Sequence, residues 1–105
     1  MKRVIIESPY AGNIEENTIY ARACMRDSLE RGEAPIASHL LYTQPGILDE
    51  NDLKERAWGI EAGLAWREVS ELHVFYIDLG WSPGMKAALW LYNEEKRPIE
   101  IRSLP

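Results

Sequence analysis

Two short segments, Ser8-Pro9-Tyr10-Ala11-Gly12-Asn13 and Ser82-Pro83-Gly84, combine turn formers with helix-capping residues. Each stands just before a helical pattern, where free backbone N–H groups and the positive end of the helix dipole receive an anion. Gly84 lets a ligand approach the backbone closely. Tyr10 and Trp81 offer rings on which a base can stack, and Asp78 stands where acidic residues accept hydrogen bonds from a ribose. Plainer readings stand beside these: Ser82-Pro83-Gly84 only starts a helix, and Asp78 is a turn aspartate. His39 changes charge near neutral pH, which suits a general acid or base, and equally suits a polar residue at a loop mouth. His73, inside an apolar run, reads as a packed residue. Glu61 falls between Ala57 and Ala65, close to the apolar stripe of its helix, and faces a pocket, a partner subunit or solvent.

Residues so placed need strands that end beneath them. Residues 3–7 are rich in β-branched types and suit a strand buried on both faces. Asn13 caps a helix expected over residues 14–31, with Glu15 and Glu16 in its first turn, Ile19, Tyr20, Ala23, Cys24 and Leu29 as its apolar residues, and Gly32 as its stop. Residues 34–38 read as a short strand whose Pro35 marks a strand start or a sheet edge. Residues 39–49, broken by Gln44-Pro45-Gly46, read as a loop that covers the pocket. Asp49 or Asn51 caps a second helix that ends near Ser70, with a stripe of Leu53, Ala57, Ile60 and Leu64 widened by Ala65 and Val69. Residues 72–77 are the strongest strand and the expected central one. A third helix continues from Met85 to Asn93, and residues 98–102 close the chain as a strand.

This alternation predicts an α/β fold over residues 1–105 as a single domain, with about four mostly parallel strands and helices on both faces. Ligands in such folds bind beyond the carboxyl ends of the strands. The formal charge of −5, with no run of Lys or Arg, argues against duplex nucleic acid as a partner. The one cysteine, Cys24, excludes a disulfide framework within the chain, and with two histidines no metal site is expected. The apolar piece Val4-Ile5-Ile6 is too brief for a leader or a membrane span, so a cytoplasmic location and no membrane partner are expected. The aromatic residues Trp58, Trp66, Trp81 and Trp90 are core or interface anchors.

Residues 4–12, the long first helix and residues 78–88 together resemble the nucleoside 2-deoxyribosyltransferase-like superfamily, closest to its small phage and prophage members. The resemblance covers nearly the whole chain in order and spacing. It implies a flavodoxin-like three-layer sandwich, a nucleoside or nucleotide held by the first loop and the start of the third helix, no cofactor, and a dimer or higher homo-oligomer. Ser8, Pro9, Tyr10, Ala11, Gly12, Asn13, His39, Asp78, Trp81, Ser82, Gly84, Met85 and Lys86 are the expected ligand-binding residues. The related enzymes attack the sugar with a glutamate in a Gly-aromatic-Glu-hydrophobic-Gly pattern; Gly84-Met85-Lys86-Ala87-Ala88 matches it with Lys86 at the glutamate position. A cationic amine cannot replace that nucleophile. A second carboxylate of the superfamily lines up with Gly63, and Ser70-Glu71 takes the place of an Ala-Asp ending nearby. The expectation is a nucleotide-binding module that sequesters or senses a nucleotide signal without glycosidic catalysis. The alternative is an N-glycosidase or deoxyribosyltransferase using relocated carboxylates, Glu61 and Asp78.

Four Trp in so short a chain, and a second helix apolar on more than one side, predict self-association. Light scattering at micromolar concentration should return a dimer or larger closed oligomer.

Overall fold

The computed structural model describes residues 1–105. The elements run β1 (Arg3–Glu7), α1 (Ile14–Glu30), β2 (Ala34–Ile36), α2 (Ser38–Leu41), α3 (Leu53–Ala65) followed by a 3-10 turn (Trp66–Glu68), β3 (Leu72–Tyr76), α4 (Pro83–Glu94) and β4 (Ile99–Arg102). The sheet is wholly parallel, in the order β2-β1-β3-β4. This is the flavodoxin-like arrangement: β2 pairs on one side of β1 and β3 on the other, so the direction of winding reverses between β1 and β3. Both are interior strands, as the apolar run at residues 72–77 predicted. Pro35 sits on an edge strand, where its missing N–H leaves no gap in the ladder.

Alternate residues of the interior strands feed two cores. Val4, Ile6, Val74 and Tyr76 pack with Tyr20 and Cys24 of α1. On the opposite face Phe75 packs with Met85, Ala88 and Tyr92 of α4, with Trp81 and Leu64 at the margin. Asn13 caps α1 by accepting the amide of Glu16, and Gly32 beyond its end has φ of +83°, a conformation that favours glycine. The face that α1 buries differs from expectation. Asn17, Tyr20, Ala21, Cys24 and Ser28 turn inward, while Ile19 and Leu29 stay more than half exposed and Ala23 faces solvent. Asn17 and Ser28 tolerate burial because each is bonded: Asn17 donates to the carbonyls of Tyr10 and Ala11, and Ser28 to Glu33.

The segment after β2 also differs from expectation. The strand stops at Ile36, and Ser38 opens the short helix α2, so His39 is a helical residue and not a strand end. Asp52, not Asp49 or Asn51, caps α3 by accepting the amides of Lys54 and Glu55. Of the stripe expected on α3, Leu53 is 80% and Ile60 55% exposed; Gly63 is the helix's one buried residue. A Cβ at Gly63 would lie 2.4 Å from Ser38 Oγ and 2.6 Å from Ser38 Cβ, so the absent side chain is what lets α3 approach α2.

Gly63→Ala should therefore lower stability by about 1–3 kcal/mol despite alanine's better helix propensity. Thermal unfolding should show the loss, and adding Ser38→Gly to the same chain should recover part of it.

Candidate functional site

The carboxyl end of β1, helix α2, helix α3 and the start of α4 enclose one cavity of about 410 Å3, within the size range of about 300–1,000 Å3 usual for small-ligand sites. It lies beside the point where the winding of the sheet reverses. Glu7, Ser8, Tyr10 and Ala11 supply one wall; Ser38, His39, Tyr42 and Thr43 line it from α2 and the turn after it. Gly59, Ile60, Gly63 and Leu64 close it along α3, where Arg56 is the one cation among the lining residues. Ser82, Pro83, Gly84, Met85, Ala87 and Ala88 form the side made by α4.

The start of α4 is built as a donor. Ser82 Oγ accepts the Met85 amide at 3.2 Å, Pro83 has no N–H, and the Gly84 amide is left without a protein acceptor beside the cavity. The same local design at α1 lies outside the lining: Gly12 has φ of +98°, Asn13 is occupied in capping, and Pro9 is buried behind the loop. Of the two helix starts expected to converge, only that of α4 reaches the cavity.

Four more expected site residues stand elsewhere. Asp78 is fully engaged: Tyr20 donates to Oδ2 at 2.6 Å, and the Leu104 amide donates to both oxygens at 3.2 and 3.0 Å. These donors hold the Asp78 carboxyl below its usual range, the Tyr20 hydroxyl first among them. Trp81 stacks on Phe75 with ring centroids 5.3 Å apart and packs, partly buried, against the core of the α4 face. Glu61 and Lys86 point to solvent. The residues of α4 that line the cavity are 83, 84, 85, 87 and 88, and residue 86 is not among them. No carboxylate stands at any of these five, nor at Gly63, where a side chain would strike Ser38.

His39 does line the cavity. Its Nε2 lies 2.7 Å from Ser8 Oγ, and its ring meets Tyr10 edge-on. Burial pushes the imidazole down from 6.5 to about 4, so near neutral pH it is an uncharged hydrogen-bonding group rather than a general acid.

Glu7 is the feature that sequence reasoning missed. It ends β1 with its Oε1 accepting the Tyr92 hydroxyl at 2.8 Å, across 85 residues of sequence. Burial raises its carboxyl from 4.5 to about 7, and the Tyr92 hydrogen bond only partly opposes this. The available signal was a carboxylate ending a strand otherwise apolar enough to be covered on both faces.

Fold and cavity together define a flavodoxin-like α/β protein with a ligand-sized pocket at the carboxyl ends of its strands. The chain belongs to the family described as a domain of unknown function, DUF7768, whose model matches residues 2–102. No curated protein matches its sequence. Among solved structures it is similar to a 2-deoxyribosyltransferase from the psychrotolerant bacterium Bacillus psychrosaccharolyticus, described as a biocatalyst for the synthesis of antiviral and antitumoral nucleosides. The two share 13% identity with a TM-score of 0.74, over 96% of this chain and 72% of the other. No helix is long and apolar enough to cross a membrane.

Because the folded state holds the Glu7 proton more tightly than the unfolded chain does, the contribution of this one group to stability is fully present below pH 4.5 and is lost as the pH rises through about 7. The difference amounts to on the order of 3 kcal/mol above neutrality. Glu7→Gln, neutral throughout, should match wild type at pH 4 and be the more stable at pH 8 by that order, as read from urea denaturation midpoints.

Proposed function

We propose that the cavity binds a nucleoside or nucleotide, with the phosphate or another polar end of the ligand at the start of α4. The observation that carries this reading is the free Gly84 amide at the mouth of a cavity of about 410 Å3 placed beside the strand-order reversal. The fold shared with a nucleoside-processing enzyme supports it. The glutamate nucleophile that the superfamily resemblance leads one to expect has no counterpart on α4, so displacement at the sugar from that helix is not part of the proposal. The pocket is a recognition site first, suited to capturing or sensing a nucleotide. The uncovered side chains of Leu53, Trp58 and Trp90, at 80, 64 and 65% exposure, support a homo-oligomer as the working form.

A Cβ at Gly84 meets only Ser82 Oγ, at 3.9 Å, so Gly84→Val should keep the fold while covering the free amide. Calorimetry over nucleosides and mono-, di- and cyclic nucleotides should find a binder, and Gly84→Val should weaken it by about tenfold or more, the loss of a charge-assisted contact. Equal binding by both proteins, or no binding across the panel, would remove this reading.

A further inference from the structure

Glu7 ties two elements together and lines the cavity at the same time. Its Oε1 accepts the Tyr92 hydroxyl at 2.8 Å, which fastens the end of β1 to α4. A carboxyl oxygen accepts that bond whether the group is neutral or ionised, so the tie survives a change of protonation. What changes is charge. Oε2 has no protein donor, and no cation stands among the influences on this carboxyl. Nor is Oε2 sealed in: His73 Nε2 is the one enclosed side-chain N or O atom without a partner, so Oε2 meets whatever fills the cavity that Glu7 lines.

The neighbouring groups do not offset a carboxylate at this position. Glu50 and Glu55 are partly buried and Arg56 is exposed. With Glu7 protonated the lining therefore carries two carboxylates and one guanidinium, and with Glu7 ionised three carboxylates against one. Salt screens the exposed Arg56 more than it screens Glu7, which shares its wall with Met85 and Ala88. From α2, His39 is uncharged above about pH 4. From α4, Tyr92 stays a neutral donor, its hydroxyl pushed well above its usual range by burial first of all. From β3, His73 stacks on the Tyr92 ring at 4.2 Å, and burial holds it below its usual range. Arg67, in the turn after α3, and Arg97 are both taken up by Glu95. Desolvation without a cation is what brings the Glu7 carboxyl to titrate at about 7.

We propose that Glu7 selects the ligand by charge: while its carboxyl is protonated the cavity admits a nucleotide, and once it is ionised the preference turns to the uncharged nucleoside. The proposal rests on the binding reading above and adds the regulation of that site. The free Gly84 amide attracts an anion to the wall that α4 makes, and a carboxylate bonded to the same helix through Tyr92 repels it. A nucleoside carries no net charge and feels little of either. Coupling between two bound species is reciprocal, so an anion in the cavity must also raise the pH at which Glu7 loses its proton, by the same factor.

Calorimetry with nucleosides, their monophosphates and their cyclic monophosphates at pH 5.5 and pH 8 brackets the Glu7 titration. The cyclic compounds keep one charge throughout, whereas a monoester gains a second near pH 6. On wild type the cyclic nucleotide should bind about three- to tenfold more weakly at pH 8, the size expected of one unit charge across a partly buried cavity, while the nucleoside changes by less than about twofold. Glu7→Gln should hold the cyclic nucleotide equally at both pH values. The carboxyl carbon resonance of Glu7 should titrate about half to one pH unit higher in the complex than in the free protein. Tyr92→Phe removes the hydrogen bond that favours the ionised form and should move the fall in affinity to higher pH; a tie that only fastened β1 to α4 would leave it in place. Loss of folded protein at pH 8 would weaken nucleoside and nucleotide alike. A cyclic nucleotide held equally at both pH values by wild type, a fall that persists in Glu7→Gln, an equal fall for the nucleoside, or nucleosides alone binding at both pH values would overturn selection by charge and leave the binding reading standing. Absence of binding by every compound would overturn both.

Discussion

Parallel pairing of β1 on both of its edges is the constraint from which the rest of the molecule follows. With β2 on one side and β3 on the other, and helices over both faces, the backbone polar groups of β1 have to be satisfied within the sheet. Its side chains must then suit two cores. Val4 and Ile6 face α1, and Ile5 is nearly as buried on the other side. At Glu7 the next residue on that second side reaches the end of the sheet, where the cover thins and a polar group becomes affordable. The crevice formed by the reversal of winding opens at the same place. The topology that covers β1 therefore also brings one acidic residue to the wall of the cavity.

The two faces of the sheet resolve their polar groups differently. On the α1 face a nearly buried Arg102 bridges to both oxygens of Glu33 and stands beside Tyr76, whose hydroxyl in turn donates to Asp27. Charges there are matched, and removing one partner would strand the other in a poor dielectric. The α4 face is aromatic, with Phe75, Trp81, His73 and Tyr92 in mutual contact. It offers Glu7 one hydroxyl and no cation. The first face matches its charges; the second, with burial uncompensated by a cation, holds a proton on Glu7 more tightly than water would.

Legibility in the sequence followed the range of the interaction. Strand runs, the Asn13 and Ser82 caps and the turn at Gly32 are local, and propensity with pattern finds them. The inward face of α1 was misjudged because its polar members are Asn17 and Ser28, whose burial depends on partners that periodicity cannot supply. The contact of Gly63 with Ser38 and that of Tyr92 with Glu7 join distant segments and leave no trace in spacing. Lys86 shows how narrow the margin is on a helix: residues 85, 87 and 88 line the cavity while 86 is exposed, so an alignment displaced by one position changes which side chain is read as facing a ligand.

Helix α3 walls the cavity but is held by little. It buries only Gly63, while the sheet and the cores beside it bury whole rows of side chains. Backbone opening should be far easier in α3 than in β1 or β3, because the free energy of local unfolding tracks the contacts that must break. A molecule seated against Ile60 and Leu64 would supply the apolar surface that α3 lacks. Occupancy and helix order then become a single linked equilibrium, in which the wall of the pocket is partly made by its contents.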